Sequence, residues 1–469
     1  MNPIEPDLLS RPELLLLPDW LMLPDGPASG MAVVVSQGRF VCVASREQAA
    51  AAFPQLAPVE LPRRLLMPGF IDTHHHLTQS FGKALAFGEP SEIFRRIWVP
   101  LESALDADAV YLSAKLSALE SLRGGFTTVV DAGTRSEAGL DAVANAAREV
   151  GMRCVLGMIC NDAGNTEGAA GFERIVGEAQ RHLARYESDS LIHASLAISI
   201  PEAATDRMLQ TVASLTLEAG CRFQTHVNEH LAAVERSLVN RGLRPLELLH
   251  QAGALNPSAL LAHCTLMTPY EINLLRDSGA AVCYNPVASQ WKGNAVLHAQ
   301  QLDALDIPFG LGTDGTRSDG FRLMDAAEAT QRLAFGLASG DSSCGGGWMW
   351  LDHATHLGAQ AAGLGQLTGA IQPGLAADFL LLDLDVPEMI PSWDLTWELV
   401  RLANKDQIEA VFVNGALRLW KGWPLDWDAR ALMREVARIA REDVAKAPIQ
   451  RIHPGSSAHR ARWAAKRRP

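Results

Sequence analysis

Pro68-Gly69-Phe70-Ile71-Asp72-Thr73-His74-His75-His76-Leu77 carries an apolar run straight into three consecutive histidines. The apolar part, residues 66–72, has the length and composition of a buried strand, bounded by Pro and Gly. The histidines stand where that strand ends. Side chains at i and i+2 of a strand point the same way, so His74 and His76 reach one ion while His75 turns elsewhere.

Working outward, seven more apolar runs follow, at 127–131, 153–158, 193–200, 222–226, 259–263, 280–284 and 308–312. Helical patterns separate them, among them 107–123, 139–151, 205–219 and 268–278. Alternating β/α units in this number predict an α/β fold of the (β/α)8 TIM-barrel kind. A doubly wound sheet is the runner-up, but it offers no shared site for so many strand ends. Both ends of the chain read as β instead. Residues 31–43 form a hairpin pattern around Gln37-Gly38, 377–384 is an apolar β run, and 410–420 is a second hairpin whose Asn414-Gly415 suits a type I′ turn. The expected organisation is a small β-sandwich domain built from both termini, 1–66 and 367–427, around a barrel over 67–366. A C-terminal helix and basic tail would occupy 428–469.

Four runs end in metal-competent side chains. The first ends in His74 and His76, the fifth in His226 with Glu229 three residues on, the sixth in His263, and the eighth in Asp314. In a barrel all such ends face one mouth, so residues far apart in sequence converge. Three imidazoles and a carboxylate suit one divalent ion, zinc with iron as the alternative, and leave a position for water, the mark of a catalytic site. His193 and His250 read as satisfied core histidines.

The chain has 469 residues, a formal net charge of −12 and seven cysteines without CxxC spacing. The acidic balance argues against a nucleic-acid partner. The odd cysteine count implies no disulfide framework, and hence a reducing compartment. With no basic leader before an apolar run and no membrane-length stretch, a cytoplasmic protein without membrane partner is expected, with a homo-oligomer left open. The basic tail, His459 to Arg462 and Lys466 to Arg468, reads as a solvated, frayed end.

The decamer at 68–77 resembles the PGxIDxHxHL signature of the amidohydrolase superfamily. Thr225-His226-Val227-Asn228-Glu229 is similar to its HxxE strand. Ala262-His263-Cys264 and Gly312-Thr313-Asp314-Gly315 look like its sixth- and eighth-strand motifs, and Gly374 to Asp378 resembles its PGxxAD re-entry into the small domain. The likeness covers about 30–420 and leans toward the subgroup of cytosine, guanine and 8-oxoguanine deaminases and triazine hydrolases. It implies that His74, His76, His226 and Asp314 hold one ion, that Glu229 shuttles protons, that His263 orients a water, and that Asp314 can also accept that water's proton. It further implies that Gln79, in an HxHxxQ pattern, contacts a heterocyclic substrate. The fourth run has no lysine to bridge two ions, which favours a single one.

Departures fall on the loops over the mouth. Ile200-Pro201-Glu202 stands where relatives carry Pro-His or Pro-Cys, and Asn285 to Trp291 where they carry PxSN. Cys344 to Trp350, rich in Gly and Trp, reads as a surface turn rather than a lid. The activity implied is hydrolytic deamination of an amino-substituted purine, pyrimidine, pterin or triazine. A second reading is expulsion of chloride or an alkylamine, or opening of a cyclic amide. The third is a non-catalytic scaffold, against which the full ligand set speaks.

Overall fold

The computed structural model describes residues 4–89, 92–164, 166–315, 317–453 and 455–467. Gly69 marks the passage between two sheets. A Cβ on it would lie 2.2 Å from the Thr127 side chain, so only glycine lets the chain pass this close. The apolar run read as one strand at 66–72 is therefore two. Pro58–Pro68 ends in one sheet, and Phe70–His75 (β1) opens another. An apolar run carries no mark of which sheet it joins.

β1 begins a parallel sheet that continues through β2 (Phe126–Asp131), β3 (Arg153–Ile159), β4 (Ile192–Ala197), β5 (Phe223–Val227), β6 (Ala259–His263), β7 (Ala281–Tyr284) and β8 (Phe309–Leu311), neighbours in space following chain order. Helices cover the outside, as at Ala107–Arg123 and Asp206–Glu218. Strands buried on both faces read as unbroken apolar runs, which is why they stand out in the sequence. Between β8 and β1 no ladder pairs the described residues. Closure is made by Asp314 N–H to the His74 carbonyl at 3.0 Å and by the Thr73 hydroxyl to the Leu311 carbonyl at 3.0 Å.

The termini build one continuous mixed sheet. Its order runs Ala416–Trp420, Ile408–Val413, Phe379–Asp383, Pro58–Pro68, Glu13–Leu23, Met31–Ser36, Arg39–Ser45. Phe40 and Phe379 lie four strands apart in that order, about 19 Å across a flat sheet. Their rings are 5.8 Å apart. The sheet must therefore curl on itself, and it encloses Leu14, Leu16, Val33, Phe379 and Phe412 as a sandwich-like core. The Asn414-Gly415 turn meets the Gly38 turn, where a Cβ on Gly415 would be 2.9 Å from the Gly38 Cα.

Arg153 on β3 is wholly buried and pairs with Asp378, just before Phe379–Asp383, at 2.9 Å. That pair ties barrel to sheet.

Helix Ala429–Lys446 packs against Ala107–Arg123, with the Lys115 ammonium 5.0 Å from the Trp427 ring. The stretch between this helix and the basic tail is tied down. Ile452 N–H and His453 N–H donate to Glu89 at 2.9 and 3.1 Å, so order extends at least to His453. Helix Ser456–Lys466 is exposed throughout, and Arg468 lies outside the described residues. Among the described residues no helix is long and apolar enough to cross a membrane.

Candidate metal centre

The pleat of β1 separates its histidines. His75 turns outward, its Nδ1 3.1 Å from Asp72 and 2.8 Å from the Thr313 hydroxyl, its Nε2 2.8 Å from the Ser117 hydroxyl. His74 and His76 turn inward, ring centroids 4.9 Å apart, and His226 from β5 lies 4.7 Å from His74. Asp314, just after β8, brings Oδ1 to 3.5 Å from His74 Nε2 and 3.4 Å from His76 Nε2. One ligand atom from each of the four residues lies within 4.8 Å of the others.

Three observations bear on whether this cluster suits an ion. His226 Nδ1 donates to the Ser199 carbonyl at 2.8 Å, which leaves the lone pair of Nε2 facing the cluster. Burial and the neighbouring imidazoles hold His226 well below the ordinary histidine range, so it is neutral and ligand-competent. His74 Nε2 is buried with no hydrogen-bond partner among the described residues, an arrangement costing about 1–3 kcal/mol unless something binds the nitrogen. The donor set therefore fits a divalent ion.

A second group adjoins the first. His263, at the end of β6, accepts at Nδ1 from the Asn285 side-chain amide at 3.3 Å, which puts its proton on Nε2. That N–H is 3.9 Å from Glu229 Oε1. Burial pushes the His263 pKa down to about 4, against the raising effect of Glu229 and Asp314. His263 and Asp314 have φ of +77° and +55°, and Asn228, just before Glu229, +50°. Such values are costly for residues other than glycine and gather where a site over-determines its geometry.

Lys292 is the residue that the sequence reading missed. It closes helix Pro286–Lys292, which follows β7, and its partly buried ammonium lies 2.7 Å from Glu229 Oε1 and 2.5 Å from Asp314 Oδ2. Asp314 thus divides its oxygens, Oδ1 toward the imidazoles and Oδ2 toward the ammonium. Two carboxylates brought side by side in a largely desolvated site require a cation nearby, and that requirement was the available signal.

Above the cluster opens a cavity reached by His76, Gln79, Glu229 and Lys292 and walled by Ile93, Phe94 and Trp98. Gln79 ends the 3₁₀ turn Leu77–Gln79 and is buried beside His76. The departing loop after β4 supplies Glu202, which pairs with Arg236 at 2.9 Å. Three other residues lie off the site. His193 is half-buried and 3.3 Å from Arg153, whereas His250 is exposed near the end of helix Pro245–Gln251 and is not a core histidine. Trp350 is buried, donating to the Cys344 carbonyl at 2.8 Å, and its loop does not line the cavity.

The sequence profile of the amidohydrolase family matches residues 65–418. The chain belongs to the amidohydrolase family. A 5-methylthioadenosine/S-adenosylhomocysteine deaminase of Desulforudis audaxviator is similar at 26% identity over 415 residues, 87% of this chain and 94% of that one. An 8-oxoguanine deaminase of Pseudomonas aeruginosa is similar at 28% over 421 residues, 86% and 92% of the two chains. A zinc-bound adenosine deaminase structure from Xanthomonas campestris superposes with a TM-score of 0.83 at 25% identity, covering 92% of this chain and 98% of that one. The amidohydrolase motifs at 68–77, 225–229 and 312–315 all reach the cluster.

Proposed function

We propose that this amidohydrolase removes the exocyclic amine of an aminopurine-type ring by hydrolysis, releasing ammonia. His74, His76, His226 and Asp314 would hold one divalent ion, with zinc favoured by the imidazole-rich set and by the zinc-bound relative. When bound, such an ion supplies a water with a pKa of about 7 and so a nucleophile at neutral pH.

The remaining steps belong to the protein. Asp314 takes the proton of the attacking water. His263 Nε2–H orients that water, its tautomer kept by Asn285. Glu229 protonates the ring nitrogen next to the reacting carbon and then carries a proton to the departing amine. Gln79 holds a ring carbonyl or nitrogen, and the Phe94 and Trp98 wall excludes water. The observation that carries this reading is the placing of Glu229, which lines the cavity, 3.9 Å from His263 and beside the imidazole cluster.

One observation favours the second reading, expulsion of chloride or an alkylamine or opening of a cyclic amide. The ammonium of Lys292 stabilises the ionised form of Glu229, and a leaving group that needs no protonation asks less of that residue. The test is metal analysis with an ammonia-release panel of aminopurines, aminopyrimidines, pterins and aminotriazines. Ammonia from an aminopurine is the expected result. Chloride, an alkylamine or a ring-opened acid in its place would transfer the assignment to the second reading.

A further inference from the structure

The wall segment 92–98 is fastened from two sides. On the cavity side, Arg236 bridges Glu92 at 2.7 Å and Glu202 at 2.9 Å. On the outer side lies the C-terminal stretch 447–453, which no step of the proposed reaction uses. Its Gln450 N–H donates to the Arg96 carbonyl at 2.9 Å, and Arg96 Nη1 donates to the Gln450 carbonyl at 3.1 Å. Glu89 completes the join. Its carboxylate is fully shielded from solvent and accepts from Ile452 N–H at 2.9 Å, His453 N–H at 3.1 Å and Arg96 at 2.8 Å, with Arg451 Nε at 3.4 Å.

A shielded carboxylate with four donors is a built junction rather than an adventitious surface contact. Ala447 is buried and Ile449 packs on the barrel core, so the stretch is anchored before it reaches the wall. The wall is a short helical stretch, the wide turn Phe94–Trp98 running into helix Val99–Ser103, and the turn bears two of its cavity-facing aromatics. A short segment of this kind needs outside contacts to stay in one conformation.

We infer that the C-terminal stretch 447–453, acting through Glu89 and Arg96, is a positioning element of the substrate pocket that holds Phe94 and Trp98 against the bound ring. Glu89 borders the cavity, but its shielded carboxylate is taken up by Arg96 and the C-terminal stretch, so it is a positioning residue that acts through the wall. The effect on substrate rests on the deaminase reading; the effect on the wall does not.

Two proteins test it, a chain ending at Lys446 and full-length Glu89→Ala. Hydrogen exchange at 92–98, measured without substrate, should quicken in both by a factor of ~10 or more. Metal content should stay at the parent value. For the aminopurine turned over best in the panel, KM should rise ~10-fold with kcat within about threefold of the parent, the signature of weakened substrate holding. A tail that only stabilises the fold would lower Tm and leave KM and wall exchange unchanged; that result in Glu89→Ala would overturn the inference. Should the truncated chain fail to fold, Glu89→Ala decides alone. If no aminopurine reacts, the deaminase reading fails, and the exchange result still decides whether the tail holds the wall.

Discussion

At the residue scale, the side chains around Asp314 divide into those that face the cluster and those that brace it. His76→Ala should lose the ion and all activity, since it removes one of three imidazoles. His75→Ala should keep the ion but lose about 1–3 kcal/mol of stability, because the buried Ser117 hydroxyl loses its partner and Asp72, still held by Thr313, loses the imidazole. Elemental analysis beside a urea titration checks both, and an ion-free His75→Ala that remains folded would contradict the division. Glu229→Gln should retain the ion while kcat falls by ~10²–10⁴, the usual span for a lost proton carrier; loss of metal would make Glu229 a ligand instead. Lys292→Met removes the cation that holds Glu229 well below the usual carboxylate range. The Glu229 pKa then rises, so the alkaline limb of the kcat/KM profile, which a required general acid sets, should move to higher pH. A limb that stays in place would show that another group sets it.

At the element scale, each strand end is braced by its neighbour. Asp131 at the end of β2 accepts from Leu77 N–H at 2.8 Å and Gly133 N–H at 3.0 Å, and so joins the turns after β1 and β2. Burial raises its pKa to about 6, against those two hydrogen bonds. A carboxyl raised in the fold binds its proton more tightly there than in the unfolded chain. Its contribution is therefore complete below pH ~4 and is lost as pH rises toward 6, an amount on the order of 2–3 kcal/mol. Asp131→Asn, whatever its overall stability, should flatten the slope of unfolding free energy across pH 4–6. An unchanged slope by denaturant titration would place the titrating group elsewhere. The same elements show how sequence patterns mislead locally. The run at 66–72 looks like one strand because apolarity is all it displays, whereas the crowding at Gly69 that divides it depends on Thr127, far along the chain.

At the scale of the whole molecule, barrel and curled sheet meet through Arg153 and Asp378. Asp378 also accepts from the Thr368 hydroxyl at 2.8 Å and Asn414 N–H at 2.7 Å, so three segments converge on one carboxylate. Asp378→Ala would strand a buried guanidinium, at a cost of about 3–5 kcal/mol. Thermal unfolding should show that loss while the ion content of the folded fraction stays constant. A loss below ~1 kcal/mol would mean that water reaches Arg153 and that the join is weaker than its burial implies.

The sequence by itself determined the barrel, the β character of both ends and the candidate set His74, His76, His226, Glu229, His263 and Asp314. Each of these leaves a local trace: apolar runs at regular intervals, and polar side chains at their carboxyl ends. Only the tertiary structure decided which residues meet without such a trace. Lys292 reaches Glu229 across 63 positions and Glu89 meets His453 across 364. Phe40 and Phe379 close a sheet whose curl neither hairpin encodes. The physical reason is the same throughout. Periodicity and strand ends are properties of neighbours in the chain, whereas counter-charges, curl and the fastening of a pocket wall arise only when distant segments share one desolvated space.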